Sequence, residues 1–413
     1  MNGLASEPST SKVGLFGLLG AGNVGNDGSL EVVLAYLRDH HPSAELSCLC
    51  SGPDLVAARY GLATEPLYWY YARERHPGPL ARVAMKAVGR IRDTARILRW
   101  VRRQDVVLVP GAGVLENTLP VRPWGFPFSM FLLCLFGRLT GTKVALVNIG
   151  ANVIKQPVLR AVCVAAARLA HYRSFRDGLS RDSMRTMGVD TSGDDVYPDL
   201  VFALPTPTAS AEHGSVGVGV MDFHGSTDDR RDADEINASY LDALRRFTRW
   251  LVDNGWTVRL LTGDDPDHAV AADIIADARA HRPDLDPSTV VFEPTETLGE
   301  VMTQIAKVDV VVGTRYHNVV CALKLAKPTV SISYSAKSDR IMAEMGLGDF
   351  CQDARTVDVD KLIEQFTEVS ELADRITPML AERSAAKVAQ LTCQYDVLSK
   401  SLDMPSETVD VVS

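Results

Sequence analysis

Short apolar runs alternate along the chain with longer stretches whose apolar positions recur at helical spacing. In the first half, strands are predicted at 12–19, 44–50, 105–109, 143–149 and 171–175. Helices are predicted at 29–38, 128–140, 161–170 and from 180 onward. Short buried strands separated by helices are the pattern of a parallel α/β sheet. A break rich in Pro, Ser, Thr and Ala follows at 205–215, PTPTASAEHGS, and reads as a linker. Beyond it the alternation resumes, with strands at 216–221, 257–262, 289–292, 308–312 and 329–333. The helices between them fall at 238–254, 269–280, 297–306 and 318–325.

The two halves echo each other. DVVLVPGAGVLEN at 105–117 and DVVVGTRYHNVV at 309–320 share an Asp, an apolar strand, a Gly turn and then polar residues. The expected fold is therefore α/β, with two Rossmann-like doubly wound domains facing each other across a cleft. Ligands bind such sheets at the carboxyl ends of their strands. The expected boundaries are a tail at 1–11, a first domain at 12–204, the linker at 205–215 and a second domain at 216–365. A terminal helix and tail occupy 366–413, where the long helical tract packs back on the first domain.

Composition narrows the function. The 413 residues are 46% hydrophobic and 23% charged, those of an ordinary globular protein. A net charge of −9 argues against a general nucleic-acid binder, which needs a basic face. The seven cysteines are scattered and odd in number, so they form neither a disulfide framework nor a zinc site, and no metal is expected. The start of the chain lacks the basic-then-apolar order of a signal peptide. The most apolar later run, 126–136, is about half the length needed to span a bilayer. A cytoplasmic location is expected. The segment 73–103 carries ten Arg and Lys against two acidic residues, with an apolar stripe at helical spacing. It reads either as a solvated arm packed on its own domain or as a peripheral contact with the inner face of a membrane.

Candidate chemistry lies at strand ends. GAGNVGNDG, at 20–28, matches the dinucleotide fingerprint formally, but the second strand ends CLCSGP without the ribose-binding acid. Its glycines are expected to permit close backbone approach, with Asn23 and Asp27 facing the cleft. PGAGVLEN brings Gly113 and Asn117 to a second such turn, and SFRD brings Arg176. Asp177 is expected to cap the helix after it. In GTRYHN a helix amino terminus favours an anion. There Arg315 adds a planar fork, His317 a proton mobile near neutral pH, and Lys337 in SYSAKSDR a further cation. Together they predict an anion site.

These stretches, together with YPDLVF at 197–202 and ISYSAKSDRIMAEMGL, resemble the polysaccharide pyruvyl transferases through most of the chain. The resemblance departs after Asn23, where the family shows a Gly-Asp-Glu run and this chain has Gly25, Asn26, Asp27 and Gly28. Membership would imply a glycosyltransferase-B-like fold with no required metal or cofactor. It would imply phosphoenolpyruvate as donor, a glycan or lipid-linked sugar as acceptor, a pyruvate ketal as product and release of phosphate. The donor is then expected against Thr314, Arg315, His317, Asn318 and Lys337, with His317 and Arg315 catalytic and His317 the general acid. Asn23, Asp27, Gly113, Asn117, Arg176 and Asp222 are expected on the acceptor side, Asp27 or Asp222 serving as base. A nucleotide-sugar glycosyltransferase of the same architecture and a non-catalytic scaffold for glycan assembly are the alternatives. A nicotinamide oxidoreductase is disfavoured by the missing acid.

Overall fold

A computed structural model describes residues 11–69, 79–117, 122–225, 229 and 231–404. The first sheet contains β1 (Lys12–Gly17), β2 (Glu45–Cys50), β3 (Ala63–Pro66), β4 (Val106–Pro110), β5 (Lys143–Ile149), β6 (Tyr172–Phe175) and β7 (Asp195–Val196). The second contains β8 (Ser215–Gly219), β9 (Thr257–Leu261), β10 (Val290–Phe292), β11 (Val310–Gly313), β12 (Thr329–Ser333) and β13 (Cys351–Asp353). Every pairing is parallel. The strand orders are β3-β2-β1-β4-β5-β6-β7 and β10-β9-β8-β11-β12-β13.

Each order reverses direction beside its first strand, between β1 and β4 and again between β8 and β11. Such switch points leave a crevice at the carboxyl ends, because the loops on either side lead to opposite faces of the sheet. The central strands are the most buried: all five residues of β4, β8 and β12 are buried, as parallel strands covered on both faces must be.

The first domain's helix Val24–His40 lies against the second domain's helix Leu298–Ala306. The last helix, Ala373–Ser401, touches both halves. Its Ser384 Oγ donates to the carbonyl of Lys324 in the second domain. Further along, Gln394 donates to Asn148 and Ser174, and Tyr395 stacks on Tyr36 at 4.6 Å, all in the first domain.

The structure differs from the sequence reading at element ends. The helix expected from 318 starts at Tyr316, and the one expected from 29 starts at Val24. Both openings are rich in Gly, Asn or aromatic residues, whose weak helical propensity hides a turn that tertiary contacts hold. The edge strands β3, β7 and β13 also lay outside the reading. They are too short and too polar to produce an apolar run. Among the described residues no helix is long and apolar enough to cross a membrane.

Candidate active site

The loops after β1, β4, β11 and β12 converge on a cavity of about 250 Å³ between the sheets. Its first-domain wall is largely apolar, with Phe16, Leu18, Val109, Val114 and Phe126 among the lining residues. Its second-domain wall carries Arg315, Tyr316, His317, Asn318, Tyr334 and Lys337. Two helix amino termini open into it, at Asn23–Val24 and at Tyr316–Asn318. Backbone N–H groups in a first helical turn have no partner four residues back, and at Tyr316–Asn318 no side chain caps them.

Glycines set how closely the halves approach. A Cβ on Gly25 would fall 2.0 Å from His317 Cε1, and one on Gly28 would fall 2.3 Å from Leu298. A side chain at either position would have to displace the residue it meets. The imidazole of His317 therefore rests on bare backbone of the opposite domain. Asn23 caps that same helix, its Oδ1 accepting from Asn26 N at 3.2 Å.

The charges form two groups. Arg315 donates through Nε and Nη2 to the carboxylate of Asp267, at 2.8 and 2.5 Å. Asp267 is fully buried and also accepts from the backbone N–H groups of Asp222 and Gly263. Two of the guanidinium nitrogens are thus fixed, and Nη1, 4.0 Å from Asp264, lies on the less committed edge.

The second group crosses the domain boundary. Glu116 of the first domain pairs with Arg176 and, at 3.1 Å, with Lys337 of the second. Arg176 also pairs with Asp199 at 3.4 Å. The ring of Tyr316 is within reach of both cations, 4.9 Å from the Arg176 guanidinium carbon and 5.1 Å from Lys337 Nζ. Ring faces attract cations, most strongly where water is excluded. Burial drives the Tyr316 hydroxyl well above its ordinary value. Burial likewise lowers His317 to about 4, the Asp199 carboxylate opposing that shift and the Arg176 charge adding to it. His317 is neutral at pH 7.

Of the residues expected from sequence, the structure brings Asn23, Gly113, Arg176, Arg315, His317, Asn318 and Lys337 to this cavity. Four others stand off it. Asp27 is buried behind the first loop, where its Oδ1 accepts from Gly20 N at 2.7 Å, and burial raises its carboxyl. That carboxylate closes a turn in which Gly20 has a φ of +69°, so it does not face the cleft. Thr314 is buried under the helix start, and its hydroxyl accepts from Tyr240 at 2.9 Å. Asn117 donates its backbone N–H to Asn152 Oδ1. Asp222 points to solvent beside His224, and only its N–H group serves the site, by holding Asp267. Asp177 caps the helix Gly178–Thr186 through Ser180 N at 2.6 Å.

Sequence reasoning missed Glu116, Asp199 and Asp267, and with them the partners that fix every cation of the site. Glu116 stood in the PGAGVLEN stretch, one position before Asn117, where the period of the turn gave no sign of which side chain points inward. Asp267 follows β9 in sequence and meets Arg315 only when the second sheet is assembled.

Two sheets with paired switch points and a cleft between them define the glycosyltransferase-B fold. Solved structures agree on the fold. UDP-GlcNAc 2-epimerase from Methanocaldococcus jannaschii matches with a TM-score of 0.57 at 9% identity, over 86% of this chain and 91% of that one. Anabaena HepE in complex with UDP-glucose gives 0.57 at 11%, over 95% and 99%. The lipopolysaccharide outer core galactosyltransferase WaaB gives 0.54 at 13%, over 94% and 99%. No curated protein matches by sequence. The family model for polysaccharide pyruvyl transferases matches residues 23–336, and the chain belongs to that family.

Proposed function

We propose that this protein moves the enolpyruvyl group of phosphoenolpyruvate onto two hydroxyls of a saccharide, forming a pyruvate ketal and releasing phosphate. The observation that carries the reading is the meeting of His317, Arg315 and Lys337 with a helix amino terminus in one cavity, His317 and Arg315 inside the family-matched segment and Lys337 one residue past its end. The donor is a small polyanion, and cations beside free N–H groups in a cleft suit it.

His317, made cationic as the donor's charge arrives, protonates the methylene carbon. The adjacent carbon becomes electrophilic and a sugar hydroxyl adds to it. Phosphate then departs with its bonding electron pair, and the second hydroxyl closes the ketal. Of the two hydroxyl protons, one returns to His317 and one leaves on phosphate or through Glu116. Glu116 is the one carboxylate among the described residues lining the cavity, and it takes the role of base expected for Asp27 or Asp222. Its pairing with Arg176 and Lys337 gives it a second part to play: the donor's anionic groups compete with it for Lys337.

The test is calorimetric titration of phosphoenolpyruvate into the wild type, Lys337→Met and His317→Gln. Lys337→Met is expected to weaken binding at least tenfold, the loss of roughly one charge-assisted contact. His317→Gln is expected to bind donor yet lose about 10²–10⁴-fold in turnover, the usual contribution of a general acid. A second reading, nucleotide-sugar glycosyl transfer, is favoured by the UDP-glucose bound in HepE. Binding of a nucleotide sugar with no response to phosphoenolpyruvate would select it and overturn the first.

A further inference from the structure

The helix Pro79–Val101 and the two residues after it, Arg102 and Arg103, hold eight Arg and Lys against Asp93 alone, in a chain of net charge −9. One face is spent on the domain: Ile97, Trp100 and Val101 are buried, and Asp93 accepts from Trp69 N at 2.8 Å. The other face runs through Val88, the adjacent pair Ile91 and Arg92, Ala95, Arg99 and Arg102, at helical spacing and all exposed. Ile91 is 71% exposed, the isobutyl-sized side chain standing in water between arginines. Neither Arg99 nor Arg102 meets a carboxylate among the described residues. A solvated arm would pair its cations and bury its isoleucine. An interfacial helix does neither, because headgroup anions take the charges and the acyl boundary takes the apolar residues.

Its position matters as much as its composition. The helix returns from the carboxyl end of β3 to the amino end of β4, so residues near Val88–Arg92 lie level with the cleft rim. Trp69, three residues beyond β3, packs there against Gly89 and under Arg92 at 4.4 Å. The adjoining helix Phe126–Thr140 begins at the same rim. Phe126 lines the cavity, and Trp124, just before it, is 58% exposed. The apolar wall of the cavity is this domain's wall.

We propose that the outer face formed by Val88, Ile91, Arg92, Ala95, Arg99 and Arg102 docks on a bilayer bearing anionic headgroups. Docking holds the cleft rim at the lipid surface, where a lipid-linked saccharide reaches the apolar wall without leaving the membrane. Delivery of that saccharide rests on the acceptor reading above, whereas the docking does not. Apolar residues within the basic face favour lipid over a nucleic acid, which would contact the arginines alone.

The experiment is sedimentation of the full chain with vesicles of phosphatidylcholine, and of phosphatidylcholine mixed with phosphatidylglycerol, at low and high salt. Binding is expected only with the mixed vesicles, weakening as salt rises. Each arginine near an anionic surface contributes roughly a fivefold factor, so Arg99→Glu with Arg102→Glu is expected to weaken partitioning about 25-fold or more. Ile91→Asp is expected to weaken it as well. Both variants should keep the wild-type melting temperature, a control for folding that holds whether or not phosphoenolpyruvate is the donor. Wild type left in the supernatant with the mixed vesicles would overturn the proposal, as would an arginine variant that sediments like wild type. Unchanged binding by Ile91→Asp would also overturn it, leaving a polyanion contact without insertion.

Discussion

His317 is held neutral by its surroundings, and that state sets two outcomes. On the proposed reading, the donor's phosphate and carboxylate would favour its cationic form, so donor binding is expected to take up a proton at neutral pH. Calorimetry in buffers of different ionisation enthalpy should show binding heats that depend on the buffer, and His317→Gln should abolish that dependence. The same residue links stability to acidity. Its folded value of about 4 lies below its ordinary 6.5, so between these values the unfolded chain binds a proton that the folded one refuses. Stability is unaffected by this group above 6.5 and falls as pH drops toward 4. The urea midpoint of wild type should therefore fall more than that of His317→Gln between about pH 7.5 and about pH 5. Arg315 behaves differently. Because Asp267 is fully buried against it, Arg315→Ala leaves an uncompensated charge and is expected to cost about 3–5 kcal/mol in denaturant unfolding. Lost donor binding in that variant would therefore not by itself identify a donor contact, and Lys337 is the cleaner probe.

Among the elements, the two helices that meet head-on at the cleft are the most sensitive. Alanine in place of a helical glycine ordinarily stabilises by up to about 1 kcal/mol. At Gly25 the added methyl would strike the His317 ring, so Gly25→Ala should move the imidazole, or the domain carrying it, by about 1 Å or more. A misplacement of that order costs about a hundredfold in turnover. The expected result is a near-normal thermal midpoint with turnover falling by that factor, checked by steady-state kinetics beside calorimetric melting. The strand–turn–helix order of both elements was legible in GAGNVGNDG and GTRYHN. That the glycines of one make room for the histidine of the other was not, because they lie far apart in sequence.

The whole molecule is strapped by its last helix. Gln394 is buried and donates to Asn148 and Ser174 in the first domain, while Ser384, ten residues earlier, is anchored to the second. Gln394→Ala should lower stability by about 1–3 kcal/mol, the usual effect of leaving buried polar groups short of a partner. Anion binding should be unchanged, since the cations of the second domain are untouched. A variant that loses both stability and donor affinity would show instead that the strap fixes the cleft. The long helical tract at 370–398 was visible as periodicity, and its return to the first domain was expected from its position after the second. The particular contacts depend on Tyr36, Asn148 and Ser174 converging from separate elements.

The sequence by itself determined the alternation of strands and helices, the repeat of that alternation after residue 215, and the motifs that end its central strands. These are local properties: apolar period, turn chemistry and the spacing of a few polar residues. It also marked His317 as a proton carrier, and Arg315, Lys337 and Arg176 as cations, at strand ends, since each stands a few residues after an apolar run. Tertiary structure decided which carboxylates hold them. Glu116, Asp199 and Asp267 come from three loops in two domains, and Asp27, close to the cleft in sequence, turns back to Gly20 N. Whether a charged side chain faces a ligand or its own backbone depends on the nearest buried donor, and folding, not chain order, chooses that neighbour.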